Sequence, residues 1–309
     1  MLSRLAQIWV ASLAAALALA GCGPSTREKV KATEMLVAKD ATVEQLIAAY
    51  NQQADAVRSL NARVELNPVA GSAYSGVIED YRDVRGFILA QKPAHVRMIG
   101  QAPVVATTVF DMVSDGETFR ISVPPKRKFI TGPVDLRRET EKPIENLRPQ
   151  HLVDALFWPE LPLRAGGLHP SLLFEEQDER SPANGALVRR FYVITLLAGA
   201  APAREVARKI WFDRADLTVT RVQTYEPGGR LATDVTYSDW QPADAVASGE
   251  AVRYPRFLRI ARPQDDYRLD LRITKLTVNE SIAAQRFHLE QPQEAELVQL
   301  TNKSGEKRP

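Results

Sequence analysis

The chain has 309 residues, of which 25% are charged and 45% are hydrophobic, a composition typical of folded domains rather than disordered chains. Lys and Arg number 40 against 38 Asp and Glu, so the formal net charge of +2 gives no basis for nucleic-acid binding. The single cysteine excludes an internal disulfide and any metal or iron–sulfur site that needs several cysteines.

Residues 1–21 have the profile of a secretory signal peptide. Arg4 supplies a short positive segment, and a 16-residue apolar stretch follows it. A membrane-spanning helix needs about 20 apolar residues, and this stretch is shorter and is followed by small residues.

The end of that stretch predicts a lipid anchor. Leu19-Ala20-Gly21-Cys22 resembles a bacterial lipobox, which implies cleavage before Cys22, diacylglycerol on its thiol and an acyl chain on the new amino terminus. Several acyl chains hold a protein to a bilayer far better than one. Gly23 follows rather than Asp, which by resemblance to lipoprotein sorting in Gram-negative bacteria implies the periplasmic face of the outer membrane.

The mature chain divides into three parts by composition. Residues 22–40 are predicted to be the lipidated cysteine and a polar tether, residues 41–291 the folded body, and residues 292–309 a polar, frayed tail. The body contains a proline-rich stretch at 132–188, which predicts a long loop insertion.

The body begins with a predicted amphipathic helix. Thr42 and Gln45 have the spacing of a capping box. Apolar residues then recur every three or four positions at Val43, Leu46, Ile47, Tyr50, Ala54 and Val57, which gives the helix one face to pack against a sheet.

After Leu60 the period of the apolar residues changes to two, which is the period of a half-buried strand. Turn signals such as Ser114-Asp115-Gly116 separate the strands. Segments of this kind occur at 60–66, 74–91, 94–100, 105–114, 117–123, 126–131, 188–197, 205–213, 217–226, 230–238, 252–262 and 266–277. Their short connections predict a mainly β fold with about eleven strands in a curved, antiparallel sheet.

The stretch 132–188 contains one predicted helix, at 149–158, with Pro149 in its first turn. The rest, including the acidic run Glu175-Glu176 and Asp178-Glu179, is predicted to be solvated loop. Phe157, Trp158 and Leu161 are candidates for the tip of a lid that contacts ligand or bilayer, or for an ordinary plug over the sheet.

One amphipathic helix is too small to cover so many strands, so the sheet is expected to enclose a hydrophobic cavity unless it closes into a filled barrel. Candidate cavity residues come from one alternating face of the strands. They are Val96, Met98, Phe110, Met112, Phe119, Ile121, Leu258, Ile260, Leu269 and Leu271.

Several motifs, taken in order, resemble the LolA/LolB superfamily of lipoprotein carriers over roughly residues 42–292. They are Lys92-Pro93-Ala94-His95-Val96-Arg97, the turn Ser114-Asp115-Gly116, Tyr254-Pro255, the strand 266–277 and Phe287-His288-Leu289. The resemblance implies an unclosed barrel with a helical lid over a cavity that binds the acyl chains of lipoproteins or related amphiphiles. The proline-rich stretch is longer than in the minimal carriers.

No enzyme motif is present: the chain has no H-E-x-x-H, no G-x-S-x-G and no phosphate-binding glycine loop. The four histidines lie far apart, so no metal is expected, and no cofactor beyond the acyl groups on Cys22. We therefore expect a non-enzymatic, monomeric, anchored protein that binds lipid or lipoprotein acyl chains. The alternative is an anchored envelope scaffold with a filled sheet, whose 132–188 loop binds a protein.

Overall fold

The computed structural model describes residues 34–72, 77–80, 84–102, 106–136, 149–161, 172–180, 187–199, 202–245 and 252–301. The predicted signal peptide, Cys22 and most of the predicted tether lie outside these ranges. Neither helix in the described ranges has the length and apolar content needed to cross a bilayer.

The chain divides into two compact units. The smaller comprises residues 1–35 and 180–188, and in it strand β1 (Glu34–Met35) pairs in parallel with the first residues of β10 (Leu187–Ala198). The larger comprises residues 36–179 and 189–309. Everything described below lies in the larger unit.

The large unit contains two helices and most of the strands. The helices are α1 (Val43–Ala56) and α2 (Pro149–Leu156). The other strands are β2 (Ser59–Ser72), β3 (Val77–Asp80), β4 (Val84–Gln91), β5 (His95–Gln101), β6 (Thr108–Ser114), β7 (Thr118–Val123), β8 (Lys128–Pro133), β9 (Leu172–Arg180), β11 (Glu205–Asp213), β12 (Val219–Glu226), β13 (Arg230–Pro242), β14 (Asp244–Ala245), β15 (Arg253–Arg262), β16 (Tyr267–Val278) and β17 (Glu296–Gln299).

These strands form one curved sheet. Its order is β9-β10-β11-β12-β13-β15-β16-β2-β4-β5-β6-β7-β8-β17, and β3 and β14 add to β2 and β16. Within the described residues the β9 edge does not pair with the β17 edge, so the sheet does not close into a barrel. The mainly β, mainly antiparallel open sheet is confirmed, with more strands than the eleven predicted because several are only two or four residues long.

In the described ranges, four strands lie where none was predicted, and two of them, β1 and β14, are only two residues long. The other two are β9 and β17. The acidic run that we expected to be loop forms β9, which pairs with β10, and the predicted tail contributes β17, which runs parallel to β8. Both lie at an edge, where a strand needs only one paired side and charged side chains are common. Their side-chain pattern therefore carries little of the apolar alternation that marks an inner strand.

Helix α1 begins as predicted. The Gln45 amide nitrogen donates to the Thr42 hydroxyl over 3.3 Å, and the Thr42 amide nitrogen donates to the Gln45 side chain over 2.9 Å. At its other end, the Lys92 ammonium donates to the Ala54 carbonyl over 2.6 Å and the Asn279 amide to the Ala56 carbonyl over 2.8 Å. These side chains satisfy carbonyls that the last turn of a helix leaves without partners.

The face of the sheet that packs against α1 and α2 is here called the inner face. Its side chains form one large apolar cluster with Leu46, Ile47 and Tyr50 of α1 and with Leu152 and Leu156 of α2. The outer face carries smaller apolar clusters, one of which consists of Phe191, Val193 and Trp211. Alternating side chains of the same strands therefore serve two separate apolar regions.

Arg214 fixes the end of the predicted tether to the body. Its guanidinium is buried, contacts Asp40 at 2.7 Å and Glu176 at 2.6 Å, and lies 4.5 Å from the centre of the Tyr192 ring. The Lys39 amide donates to the Arg214 carbonyl over 2.6 Å. The chain is thus held in place just before α1 begins.

The β6–β7 turn provides a test of the fold. Gly116 has φ +95°, and a Cβ there would lie 2.7 Å from the Ala94 Cβ, whereas Gly228, with φ +89°, has open space around it. Both Gly→Ala changes place a side chain on backbone that disfavours it, but only Gly116→Ala adds a clash. We expect Gly116→Ala to lower the free energy of unfolding by about 1 kcal/mol or more beyond Gly228→Ala in urea denaturation. Equal losses would contradict the packing of Ala94 against this turn.

Candidate functional site

The candidate site is the inner face of the sheet together with the segment that covers it. We call residues 149–161 the lid: it consists of α2 and the extended segment that follows. The three residues predicted at its tip, Phe157, Trp158 and Leu161, are 5%, 6% and 2% exposed and belong to the inner-face cluster. In this conformation they point into the protein.

Two buried tyrosines of the sheet hold the end of α2. The Tyr237 hydroxyl donates to the Ala155 carbonyl over 3.1 Å, and the Tyr254 hydroxyl donates to the Leu156 carbonyl over 2.8 Å. Burial raises the pKa of both tyrosines above the ordinary value, so the hydroxyls stay protonated and remain donors. Because the last carbonyls of a helix have no partner within the helix, these bonds fix α2 where it ends.

Trp158 fills an aromatic enclosure on the inner face. Its ring centre lies 5.5 Å from that of Tyr50, 5.4 Å from Tyr237 and 5.6 Å from Trp240. The Tyr50 ring is stacked on it and the Tyr237 ring meets it edge-on, which are the arrangements that aromatic pairs favour. The side chain acts as a plug that joins α1, the lid and β13.

Asn51 of α1 holds the far end of the lid. Its side-chain amide donates to the Leu161 carbonyl over 2.9 Å and accepts from the Leu161 amide over 2.8 Å. This pair replaces both backbone hydrogen bonds of a residue that lies in no helix or strand. The lid is therefore tied where α2 ends and again at Leu161, and it is packed against the inner face between these points.

The structure brings most of the predicted cavity residues together. Phe110 and Ile121 are half-buried against the inner-face cluster, and Phe119 lies with Ile130 and Leu300 in a separate cluster. The members of the inner-face cluster are Val96, Met98, Met112, Leu258, Ile260, Leu269 and Leu271.

These seven side chains are at most 2% exposed. Protein atoms, including those of α1 and the lid, therefore cover them in the described conformation. A guest on this part of the inner face has to replace one of those covering elements. The lid is the shorter of the two helical covers, at eight helical residues against fourteen.

Beside the lid the inner face carries polar groups that the sequence analysis did not single out. Arg208 of β11 lies near the Tyr50 hydroxyl and near Asp154 of α2. Burial raises the pKa of Tyr50 to about 12, and the positive charge of Arg208 opposes that rise. The sequence contains one indication of this charge. Arg208 and Lys209 are adjacent in a strand, and consecutive residues of a strand face opposite sides, so one of the two cations has to face the apolar side.

Asp154 of α2 acts electrostatically on Arg208. Its side chain is accessible to water, yet the surrounding protein removes enough solvation to raise the pKa of its carboxyl, while Arg208 and Arg262 oppose that rise. On the same helix, His151 Nδ1 lies 2.7 Å from the Tyr267 hydroxyl.

Two residues of the Lys-Pro motif have structural roles, and Lys92 Nζ also lies 6.0 Å from the centre of the Phe157 ring in the lid. Lys92 caps α1, as described above, and Arg97 forms a two-bonded ion pair with Asp111 at 3.0 and 2.7 Å and donates to the Arg286 carbonyl over 2.9 Å. In the described residues, no group of three His, Cys, Asp or Glu side chains is placed to hold a metal ion.

Comparisons with known proteins give similarity at the level of the fold. No family model matches the chain, and no curated protein matches it. Among solved structures, it is similar to a LolA superfamily protein from Nitrosomonas europaea, with 12% identity over 81% of this chain and 99% of that one and a TM-score of 0.42.

Two further structures have comparable likeness. A DUF1329 family protein from Desulfovibrio piger has 12% identity, covers 78% of this chain and 94% of its own, and has a TM-score of 0.44. A domain from Vibrio parahaemolyticus assigned to outer-membrane lipoprotein sorting has 12% identity, covers 80% and 97%, and has a TM-score of 0.41.

The tyrosine bonds to the lid can be tested by removing one hydroxyl. Tyr254→Phe leaves the Leu156 carbonyl buried without this donor, which costs about 1–3 kcal/mol. We expect that loss in urea denaturation, together with faster amide hydrogen exchange in residues 152–161. Tyr225→Phe is the matched control, because its hydroxyl bonds Gln223 far from the lid. Unchanged exchange in Tyr254→Phe would show that this bond does not hold α2.

Proposed function

We propose that the protein binds the acyl chain of a lipid or lipoprotein on the inner face of its sheet, and that the lid moves to admit it. The observation that carries this proposal is the construction of the cover. A short helix lies over a continuous apolar surface, held by tyrosine hydroxyls at its last turn and by the Asn51 side chain at Leu161 beyond it. The protein then acts by binding rather than by catalysis.

The free energy needed to displace the lid is comparable to the free energy gained by burying an acyl chain. Exposing the five large apolar side chains of the lid would cost about 8–15 kcal/mol, at about 1.5–3 kcal/mol each. These side chains are Leu152, Leu156, Phe157, Trp158 and Leu161. Burying an acyl chain of about 15 methylenes contributes about 12 kcal/mol. A ligand can therefore offset displacement of the lid, most easily if the lid shifts as a unit and keeps part of its apolar surface covered.

The proposal includes the anchor predicted from the sequence. Cys22 would carry diacylglycerol and an amino-terminal acyl chain, which would hold the body at the periplasmic face of the outer membrane. Arg214, Lys39 and Asp40 support this arrangement, because they fix the point at which a tether would enter the body. A body held at the membrane surface would exchange acyl chains with that membrane or with its lipoproteins.

A second function is favoured by a specific observation. The seven buried residues of the predicted cavity are already covered by the chain itself. The body would then be an anchored envelope scaffold with a filled sheet. Its exposed apolar side chains on β9, Leu173 at 57% and Phe174 at 39%, would be available to a protein partner.

Native mass spectrometry of the chain purified without its anchor, as Cys22→Ala, distinguishes the two functions. Acyl binding predicts a co-purified lipid mass, or uptake of added palmitate at one molecule per chain. The scaffold predicts an empty chain that takes up none. An empty chain that also refuses palmitate would contradict acyl binding.

Replacing the plug tests the role of the lid. Trp158→Leu removes the indole from its enclosure, so a guest has less to displace, and we expect severalfold tighter binding of a fluorescent fatty-acid probe. Trp211→Leu is the matched control, because Trp211 is equally buried but lies on the outer face with Phe191 and Val193. Both changes cost stability, so thermal unfolding should first establish that each variant is folded. Tighter binding in both variants, or in neither, would count against the lid.

A further inference from the structure

Three arginines on the outer face have carboxylate partners. Arg259 contacts Asp270 through two bonds of 2.7 and 2.8 Å, Arg221 pairs in the same way with Asp234, and Arg97 with Asp111. Two bonds between a guanidinium and a carboxylate are the geometry in which each satisfies the other best. An arginine on the inner face can be compared with these paired arginines.

Arg208 lies on the inner face. It is two residues from Ile210, which is fully buried in the inner-face cluster, whereas Trp211 belongs to the outer face. Its partners in the neighbouring strands are Leu196 of β10, which packs against the inner-face cluster, and Thr224 of β12. The guanidinium therefore leaves the sheet on its apolar side.

The described residues give Arg208 no ion pair. Its Nε is buried without a hydrogen-bond partner. Arg190 and Arg256 also have a buried, unpartnered Nε, but each donates through Nη2 to a backbone carbonyl, over 3.4 Å to Leu36 and 2.5 Å to Pro242. Arg208 has the neutral Tyr50 hydroxyl beside it as a hydrogen-bonding neighbour, but no carboxylate or carbonyl bond among the described residues. A half-buried guanidinium in such surroundings is costly to keep unless an anion comes to it.

Asp154 is a carboxylate that acts electrostatically on Arg208 without forming an ion pair with it, and it belongs to the lid. When the lid shifts to admit an acyl chain, Asp154 moves with α2 while Arg208 stays on β11. The open form thus has an apolar face with a fixed positive charge beside it.

We propose that Arg208 binds the anionic head group of a single-chain amphiphile whose acyl chain lies on the inner face. The inference rests on the proposed acyl binding and adds that the ligand carries an anionic head group. A carboxylate or a phosphate head group would satisfy it, because both accept the forked hydrogen bonds of a guanidinium. Tyr50 and Tyr237 are neutral, so beside them an Arg208 guanidinium paired with an anion is more stable than an unpaired one.

The test compares three ligands with the same acyl chain: palmitate, methyl palmitate and palmitoyl lysophosphatidate. Binding to the full chain as Cys22→Ala is measured by titration calorimetry below their critical micelle concentrations. We expect palmitate, lysophosphatidate or both to bind about tenfold or more tightly than the ester, since a hydrogen bond to a charged group contributes about 1.5–3 kcal/mol. Whichever anion is preferred identifies the head group.

The variants assign the preference to Arg208. Arg208→Gln should abolish it while leaving the affinity for the ester unchanged, and Arg208→Lys should keep part of it. Arg221→Gln is the control, because that arginine lies on the outer face over Trp211, and it should keep the full preference. The ligand comparison on the unaltered arginine remains informative even where a variant does not fold.

The failures are distinguishable. Equal affinity for all three ligands would overturn the role of Arg208 and leave acyl binding intact. No binding of any of the three would overturn acyl binding, and the head-group site with it. A preference that survives in Arg208→Gln would also overturn the assignment.

Discussion

The structure depends on keeping water from the apolar inner face of an open sheet. A closed barrel covers its interior with its own opposite wall, but this sheet has two edges that do not pair within the described residues. Its inner side chains must therefore be covered by elements other than strands. Helix α1 does this permanently, since it continues directly into β2 and its capping box and last-turn bonds fix both of its ends.

The lid covers the same face by different means. Tyr237 and Tyr254 bond it where α2 ends, Asn51 bonds it at Leu161, and apolar packing acts between these points. Individual hydrogen bonds contribute about 1 kcal/mol each, whereas the buried side chains contribute several times more. The bonds thus set where the lid sits, while the free energy of closure comes from surface that an acyl chain can cover equally well.

The two edges of the sheet are managed separately from its face. β9 carries Glu175, Glu176, Asp178 and Glu179, and charge on an edge strand opposes pairing with another chain. At the other edge, β17 is only four residues long, and Leu300 after it packs against Phe119 and Ile130.

Neither edge strand has the apolar alternation of an inner strand, and this explains which strands could be predicted from the sequence. Alternation identified the strands with a buried face, such as β16, in which Tyr267, Leu269, Leu271 and Ile273 are buried. It could not identify β9 or β17, whose positions depend on a neighbour.

The same limit applies to the candidate site. Apolar periodicity placed most of the predicted cavity residues in one cluster, because burial of alternate residues is a local property of a strand. It could not show that Trp158 fills a space between Tyr50, Tyr237 and Trp240, because those residues meet only after β13 and the lid pack together. Nor could it separate Arg208 from the paired arginines, since pairing depends on which strands become neighbours.

A charge beside the inner face would orient a bound ligand, which apolar burial alone cannot do. Hydrophobic burial is non-directional, so a face lined only by Met, Leu and Ile would accept an acyl chain in either orientation and of many kinds. On the outer face the cross-strand arginine–aspartate pairs neutralise one another. On the inner face Arg208 has a counter-charge from Asp154 without an ion pair, and Asp154 lies on the element that we propose to move. In the proposed movement, closing the lid would bring Asp154 toward Arg208 and opening it would remove that charge, so the state that exposes apolar surface would also be the state that most attracts an anion. Acyl chain and head group would then act on the same equilibrium, and a ligand with both would shift it further than a ligand with either alone.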